Sequence, residues 1–191
     1  MSTKQFDIDI DFGDREAVLR LIEHTPAMMM RDDGPVKHNT GIYVNPIPQD
    51  PFTGYSSIDY ETAEELGYVK LDLLNVHVYN QIRDEAHLEE LINRKPYWEM
   101  LHHREFVEQL IHLNNHYDTV QKHFPDTLDK LAMILAIIRP AKRHLIGKSW
   151  REINENVWTK PEEGYFFKRA HAYGYAQLVW VHMNLLTELA D

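Results

Sequence analysis

The sequence has no cysteine, little glycine and no long apolar run. Without thiols there is neither a disulfide framework nor a thiolate zinc or iron–sulfur site, so any metal must sit on oxygen or imidazole. The longest apolar stretch, Leu131 to Ile138, is far short of the ~20 residues that span a bilayer. The opening MSTKQFDIDI lacks the apolar core of a secretory leader. No Gly-x-Ser-x-Gly, Walker A or dinucleotide glycine pattern occurs, and neither an internal repeat nor a low-complexity segment. These absences exclude secreted, membrane-embedded and disordered readings and lead us to expect a cytoplasmic protein. What is present is 191 residues with 43% apolar and 26% charged side chains. That suits one compact unit burying roughly two-thirds of its unfolded surface.

Positive charge is also scarce, with 20 Lys and Arg against 30 Asp and Glu, a net of −10. Its distribution is uneven. Residues 1–138 hold 12 basic and 24 acidic side chains, whereas 139–171 hold 8 basic and 4 acidic. The basic set is Arg139, Lys142, Arg143, Lys148, Arg151, Lys160, Lys168 and Arg169, joined by His144 and His171. It describes either a solvated loop balancing an acidic neighbour or an anion site for phosphate or a nucleic-acid backbone.

Phe6 to Phe12 alternates apolar residues with Asp7, Asp9 and Asp11, a strand with carboxylates on one face. Asp14 reads as an N-cap for a short helix, and His24 to Lys37 reads as a loop. Thr40 to Asn45 predicts a second strand, ended by Pro46, Pro48 and Pro51. Ser57 to Leu66 predicts a helix closed by Gly67, and Tyr68 to Leu74 a third strand, apolar enough to lie centrally. Helix is expected over Val76 to Arg94 with breaks, over Trp98 to Lys122, over Thr127 to Ile138 buried all round, and from about Phe167 to Leu189. The fold class expected is α+β, with a small sheet part over residues 1–95 and a helical part over 96–191.

An aspartate pair on one strand describes a solvated edge face as readily as a site. Asp72 changes the weighing, because a carboxylate in the middle of Val69-Lys70-Leu71-Asp72-Leu73 needs a partner. If the two strands are neighbours, Asp9 and Asp11, about 7 Å apart at Cα level, converge with Asp72. Three such carboxylates hold two divalent ions ~4 Å apart, and an all-oxygen set selects Mg²⁺ or Mn²⁺. That is phosphoryl-transfer chemistry.

At these residues the sequence resembles the alpha subunit of bacterial DNA polymerase III, the C-family replicative polymerase. The family's Asp-x-Asp-Phe strand and arginine-bearing helix are similar to FDIDIDFGDREAV at 6–18. Its Arg…Gly…His…Gly stretch is similar to RDDGPVKHNTGIYVNP at 31–46, and its third aspartate motif to GYVKLDLL at 67–74. The helix ending in Arg-Pro resembles LAMILAIIRPAK at 131–142, and the Asn-Lys-Ser-His segment resembles FKRAHAYGYA at 167–176. The resemblance implies a truncated nucleotidyltransferase-like palm with a helical fingers-like lobe. It implies Asp9, Asp11 and Asp72 as catalytic metal ligands for Mg²⁺ or Mn²⁺, and Arg139, Arg169 and His171 facing a nucleotide, beside which Lys142 and Arg143 complete the phosphate-binding set. The implied partners are nucleic acid and a nucleoside triphosphate. In the family a glycine-serine phosphate cradle precedes the Asp-x-Asp strand, at which this sequence starts, and much of the palm between Asp11 and Asp72 is missing. Ala141 stands where the family has glycine, and Lys168 where it has asparagine.

The nucleotide side is therefore expected to be incomplete. This leaves a second class open: a catalytically inactive remnant binding nucleic acid or a replication protein. A third is an acidic DNA mimic occupying a basic channel. Twelve histidines raise zinc, but His112 and His116, spaced i, i+4, lack the glutamate of a metalloprotease motif and read as partly exposed helix residues. Tyr165, Phe166, Phe167, Tyr173 and Tyr175 serve base stacking or helix packing equally well.

Overall fold

The computed structural model describes residues 8–160 and 167–189. The chain is mixed α+β and divides into two compact units, Met1–Gln81 and Ile82–Asp191. The sequence pattern puts this division near 95; it falls earlier because the helix at 85–93 packs with the helical unit.

In the first unit, β1 (Ile8–Phe12) leads through α1 (Arg15–Leu19) to a hairpin of β2 (Thr25–Arg31) and β3 (Gly34–Tyr43). Next come α2 (Tyr60–Glu65), β4 (Leu71–Asn75) and a 3-10 helix at His77–Gln81. The sheet order is β1-β4-β3-β2, with β1 parallel to β4 and the other pairs antiparallel. β4 is central, as its apolar run predicts. Asp14 and Asp59 cap α1 and α2 by accepting from the Ala17 and Thr62 amides. Beyond α2, Gly67 adopts φ +90°, the left-handed position that closes a helix. Ala27, Tyr43, Ile47 and Ala63 are buried together.

Two features differ from the sequence reading. Residues 24–37, expected as a loop, hold β2 and the start of β3, turning through Asp32 and Asp33 into Gly34 at φ +113°. Pro35 is tolerated in β3 because that half of the strand pairs only with β2. Alternation in β1 does not mark a buried face: Ile8 and Ile10 are both exposed and Phe12 is half-buried.

The second unit comprises α3 (Glu85–Asn93), a 3-10 helix at Trp98–His102, α4 (Arg104–Gln109), α5 (Tyr117–His123) and α6 (Leu128–Ile137). A second 3-10 helix at Pro140–Leu145, α7 (Trp150–Asn156) and α8 (Arg169–Glu188) complete it. α6 is the core, every residue from Leu131 to Ile137 being buried, and it packs on α8. The expected continuous helix over Trp98–Lys122 is instead three short pieces, broken where His112 and Asn115 take φ of +63° and +67°. Of its periodic residues, Phe106, Leu110, Leu113 and Val120 are buried in the core and Tyr117 packs against it, so the spacing reports burial rather than one helix. α7 opens on a capping box in which Ser149 and Glu152 satisfy each other's backbone amides.

Elements this short leave many backbone amides without a helical or ladder partner, and imidazoles accept several of them. His182 Nδ1 takes the Ile111 amide at 3.1 Å and His123 Nε2 the Gly147 amide at 2.9 Å. His87 Nδ1 takes the Arg83 amide at 3.1 Å, and His38 Nδ1 the Gly41 amide at 2.9 Å. An accepting nitrogen must be unprotonated. Burial accordingly lowers the pKa of His182, His123 and His38. The unfolded chain then binds more protons, so stability is full above the ordinary histidine value of about 6.5 and declines as pH falls below it. Urea midpoints taken from pH 7.5 down to 5 should fall, and His182→Gln should flatten the decline; a constant midpoint would contradict the assignment.

Candidate functional site

In the sheet, Asp9 of β1 stands in register with Asp72 of β4, and Asp11 with Leu74. Register partners in a parallel pair share a face, as do residues two apart along a strand, so all three aspartates lie on one side of the sheet. Their surroundings differ. Asp9 is exposed, Asp11 half-buried and Asp72 buried. Tyr79 on the 3-10 helix after β4 donates to Asp11 Oδ2 at 3.4 Å. Burial raises the Asp11 pKa, partly countered by that bond.

Asp72 has the partner its position demands, and more than one. Thr40 Oγ1 donates to its Oδ1 at 2.6 Å, and Lys70 Nζ pairs with its Oδ2. His38 Nδ1 lies 3.7 Å from the carboxylate, but this is not an ion pair, because that nitrogen already accepts the Gly41 and Thr40 amides. Burial foremost, and then Lys70, holds His38 neutral against the pull of Asp72. Gly41, the register partner of Asp72 on β3, makes room for the group. A Cβ there would lie 2.8 Å from Lys70 Cδ and 2.9 Å from His38 Nδ1.

The donor chemistry, three carboxylates at adjacent strand positions, fits a hard cation. The side chains are nevertheless engaged by Lys70, Thr40 and Tyr79, and no group of three His, Asp or Glu among the described residues is gathered to hold a metal. A divalent ion would have to displace the Lys70 ammonium from Asp72.

In the helical unit the expected phosphate-binding residues separate. Arg139 lies with its guanidinium 4.8 Å from the Phe167 ring. Arg143, exposed, donates from Nε to the Ile138 carbonyl at 3.1 Å. Both charges depress His116, after burial, and Arg139 does so for His112. His171 lies against Tyr175, which stacks on Phe167 with ring centroids 5.7 Å apart. Arg169 belongs elsewhere, exposed beside the Trp158 and Tyr173 rings at 5.7 and 5.3 Å. Lys142 is turned inward: buried, its Nζ donates to the Asn156 carbonyl at 2.8 Å and to Thr159 Oγ1 at 2.9 Å, closing α7. Of the aromatics, Phe167 is buried in the core and Tyr173 and Tyr175 pack against it; Tyr165 and Phe166 fall outside the described residues. His112 and His116 stand on the turn between α4 and α5, not on a helix.

His38 and Thr40 are the residues a sequence reading misses. Their signal is the His-x-Thr-Gly run in the second half of β3, which the sequence reading includes only as part of the 31–46 stretch and whose place beside Asp72 is legible only once β3 is known to neighbour β4. Comparison with family models, characterised proteins and solved structures finds no match.

Gly41→Ala should cost about 1–3 kcal/mol through overpacking and disturb the Lys70–Asp72–Thr40 group. Denaturant unfolding measures the first effect and the chemical shift of the Thr40 amide the second; an unchanged protein would mean that the close approach is not required.

Proposed function

We propose that this chain is a short polymerase-like module, related to the palm and fingers of the bacterial DNA polymerase III alpha subunit, that works on nucleic acid in DNA replication. Its catalytic carboxylates are Asp9, Asp11 and Asp72. The observation supporting this is the in-register pairing of Asp9 with Asp72 on adjacent parallel strands, with Asp11 two residues along the same face. Bound Mg²⁺ or Mn²⁺ would supply activation of an attacking oxygen and neutralisation of a leaving phosphate. Within the first unit, Lys70 and Thr40 hold the Asp72 carboxylate in position; within the second, Arg139, Arg143, Arg169 and His171 are the groups that would meet phosphates. Lys142, already bonded to α7, serves by holding that segment in place.

A second reading is a module derived from such a polymerase that binds nucleic acid or a replication protein without catalysis. It is favoured by the engagement of both Asp72 oxygens by Lys70 and Thr40, which makes the carboxylate a satisfied structural group. Electron paramagnetic resonance of added Mn²⁺, together with extension of a labelled primer–template, separates the two. The catalytic reading expects bound Mn²⁺ and nucleotide incorporation, both lost in Asp72→Asn. Retained DNA or replication-protein binding with no incorporation in Mg²⁺ or Mn²⁺, indifferent to Asp72→Asn, would replace it with the second.

A further inference from the structure

Cations over aromatic rings recur in this chain, and most of them are already neutralised. Lys70 over Tyr60 pairs with Asp72, Arg104 over Tyr117 with Glu108 and Asp118, and Lys130 over Trp150 with Asp126. Arg139 rests on Phe167, a ring buried in the core. Arg169 differs from all four. It is exposed, its guanidinium lies over two rings, Trp158 at 5.7 Å and Tyr173 at 5.3 Å, and among the described residues it pairs with no carboxylate. The hydrogen-bond partner of its guanidinium there is the neutral Tyr173 hydroxyl, to which Nη2 donates at 3.2 Å. In a chain with 30 acidic side chains against 20 basic ones, a stacked arginine without a paired carboxylate is open to an anion from outside.

The rings are also held in place. Trp158 and Tyr173 are half-buried and pack against the core, with centroids 6.3 Å apart and planes inclined at 40°. The backbone on both sides of Trp158 is pinned, because Lys142 Nζ donates to the Asn156 carbonyl and to Thr159 Oγ1. The Tyr173 hydroxyl donates to Asp129 of α6, so that carboxylate is engaged by the tyrosine. Arg169 opens α8 and stands one turn before Tyr173. Lys168, next to it, and Lys160, two residues after Trp158, are both exposed.

We propose that Trp158, Arg169 and Tyr173 form a stacking platform for a base of single-stranded nucleic acid, with Lys160 and Lys168 beside it for the backbone phosphates. Unpaired bases stack on aromatic rings and on guanidinium planes, and this cluster offers both at the surface. A duplex is disfavoured because its bases already stack on one another and are not free to splay out. The inference rests on the reading that this chain works on nucleic acid. It adds that the strand is met unpaired, and through Trp158, which lies outside the stretches that resemble the polymerase.

Fluorescence anisotropy tests this, with labelled thymidine and uridine oligonucleotides and a duplex of the same length titrated with the full chain at low salt. EDTA in the buffer keeps the outcome independent of the metal reading. Saturable binding of single strands, tighter than of the duplex, is expected. Arg169→Ala should weaken it about tenfold, as for loss of one stacked base. Arg169→Lys, which keeps the charge and loses the planar group, should weaken it as well, and it serves alone if Arg169→Ala does not fold by circular dichroism. The bound strand should quench tryptophan emission, and Trp158→Phe, which leaves an apolar ring for the core, should abolish that quenching. Binding of both oligonucleotides assigns the platform to either sugar, and binding of one names the sugar it takes. Duplex bound as tightly as single strand, affinity unchanged in the Arg169 variants, or quenching that persists in Trp158→Phe would overturn the platform and leave the nucleic-acid reading standing. Absence of binding to all three would overturn both.

Discussion

The fold depends on finding acceptors and donors for backbone groups that its short elements leave over. Among the described residues, seven helical segments of the second unit run ten residues or fewer, and the first and last turns of each carry groups with no internal partner. Side chains supply what the ladders do not. Four imidazoles accept amides. The buried Asn184 amide donates to the Leu91 and Arg94 carbonyls, where Trp180 also donates, so that α8 closes the end of α3. Lys142 does the same for α7. The apolar core around α6 supplies the driving force, while these polar contacts decide where the chain turns.

This explains the uneven legibility of the fold. β4 at the sheet centre, α6 buried on every side and the caps at Asp14 and Gly67 were readable because each rests on local chemistry or composition. The hairpin over 25–43 was not, since Met28 to Met30 lack strict alternation and the Asp33-Gly34 turn signal is easily read as a loop. The break near His112 was hidden for the opposite reason. A 3–4 spacing that buries Phe106, Leu110, Leu113 and Val120 is compatible with one long helix, and only the left-handed residues separate the two outcomes. α7, with its Ser149–Glu152 capping box, went unread because it lies inside a stretch whose basic charge draws attention instead.

The candidate site divides the same way. The need of Asp72 for a partner followed from burying a carboxylate in an apolar strand, and its pairing with Asp9 from placing the two strands side by side. The partners themselves, Thr40 and the adjacent Lys70 with neutral His38 nearby, depend on the approach of β3 through Gly41, which is a matter of topology. Among the basic residues, sequence proximity grouped side chains that the structure separates: Lys142 and Arg143 are consecutive, yet one is interior and the other exposed.

β1 closes one end of the sheet with Ile8 and Ile10 exposed, a combination that invites another chain to add itself edge-on. Asp9 and Asp11, alternating with those isoleucines, set like charges against any second copy in register and so act as gatekeepers against self-association. Neutralising those carboxylates, by acid or by a counter-ion, removes that repulsion.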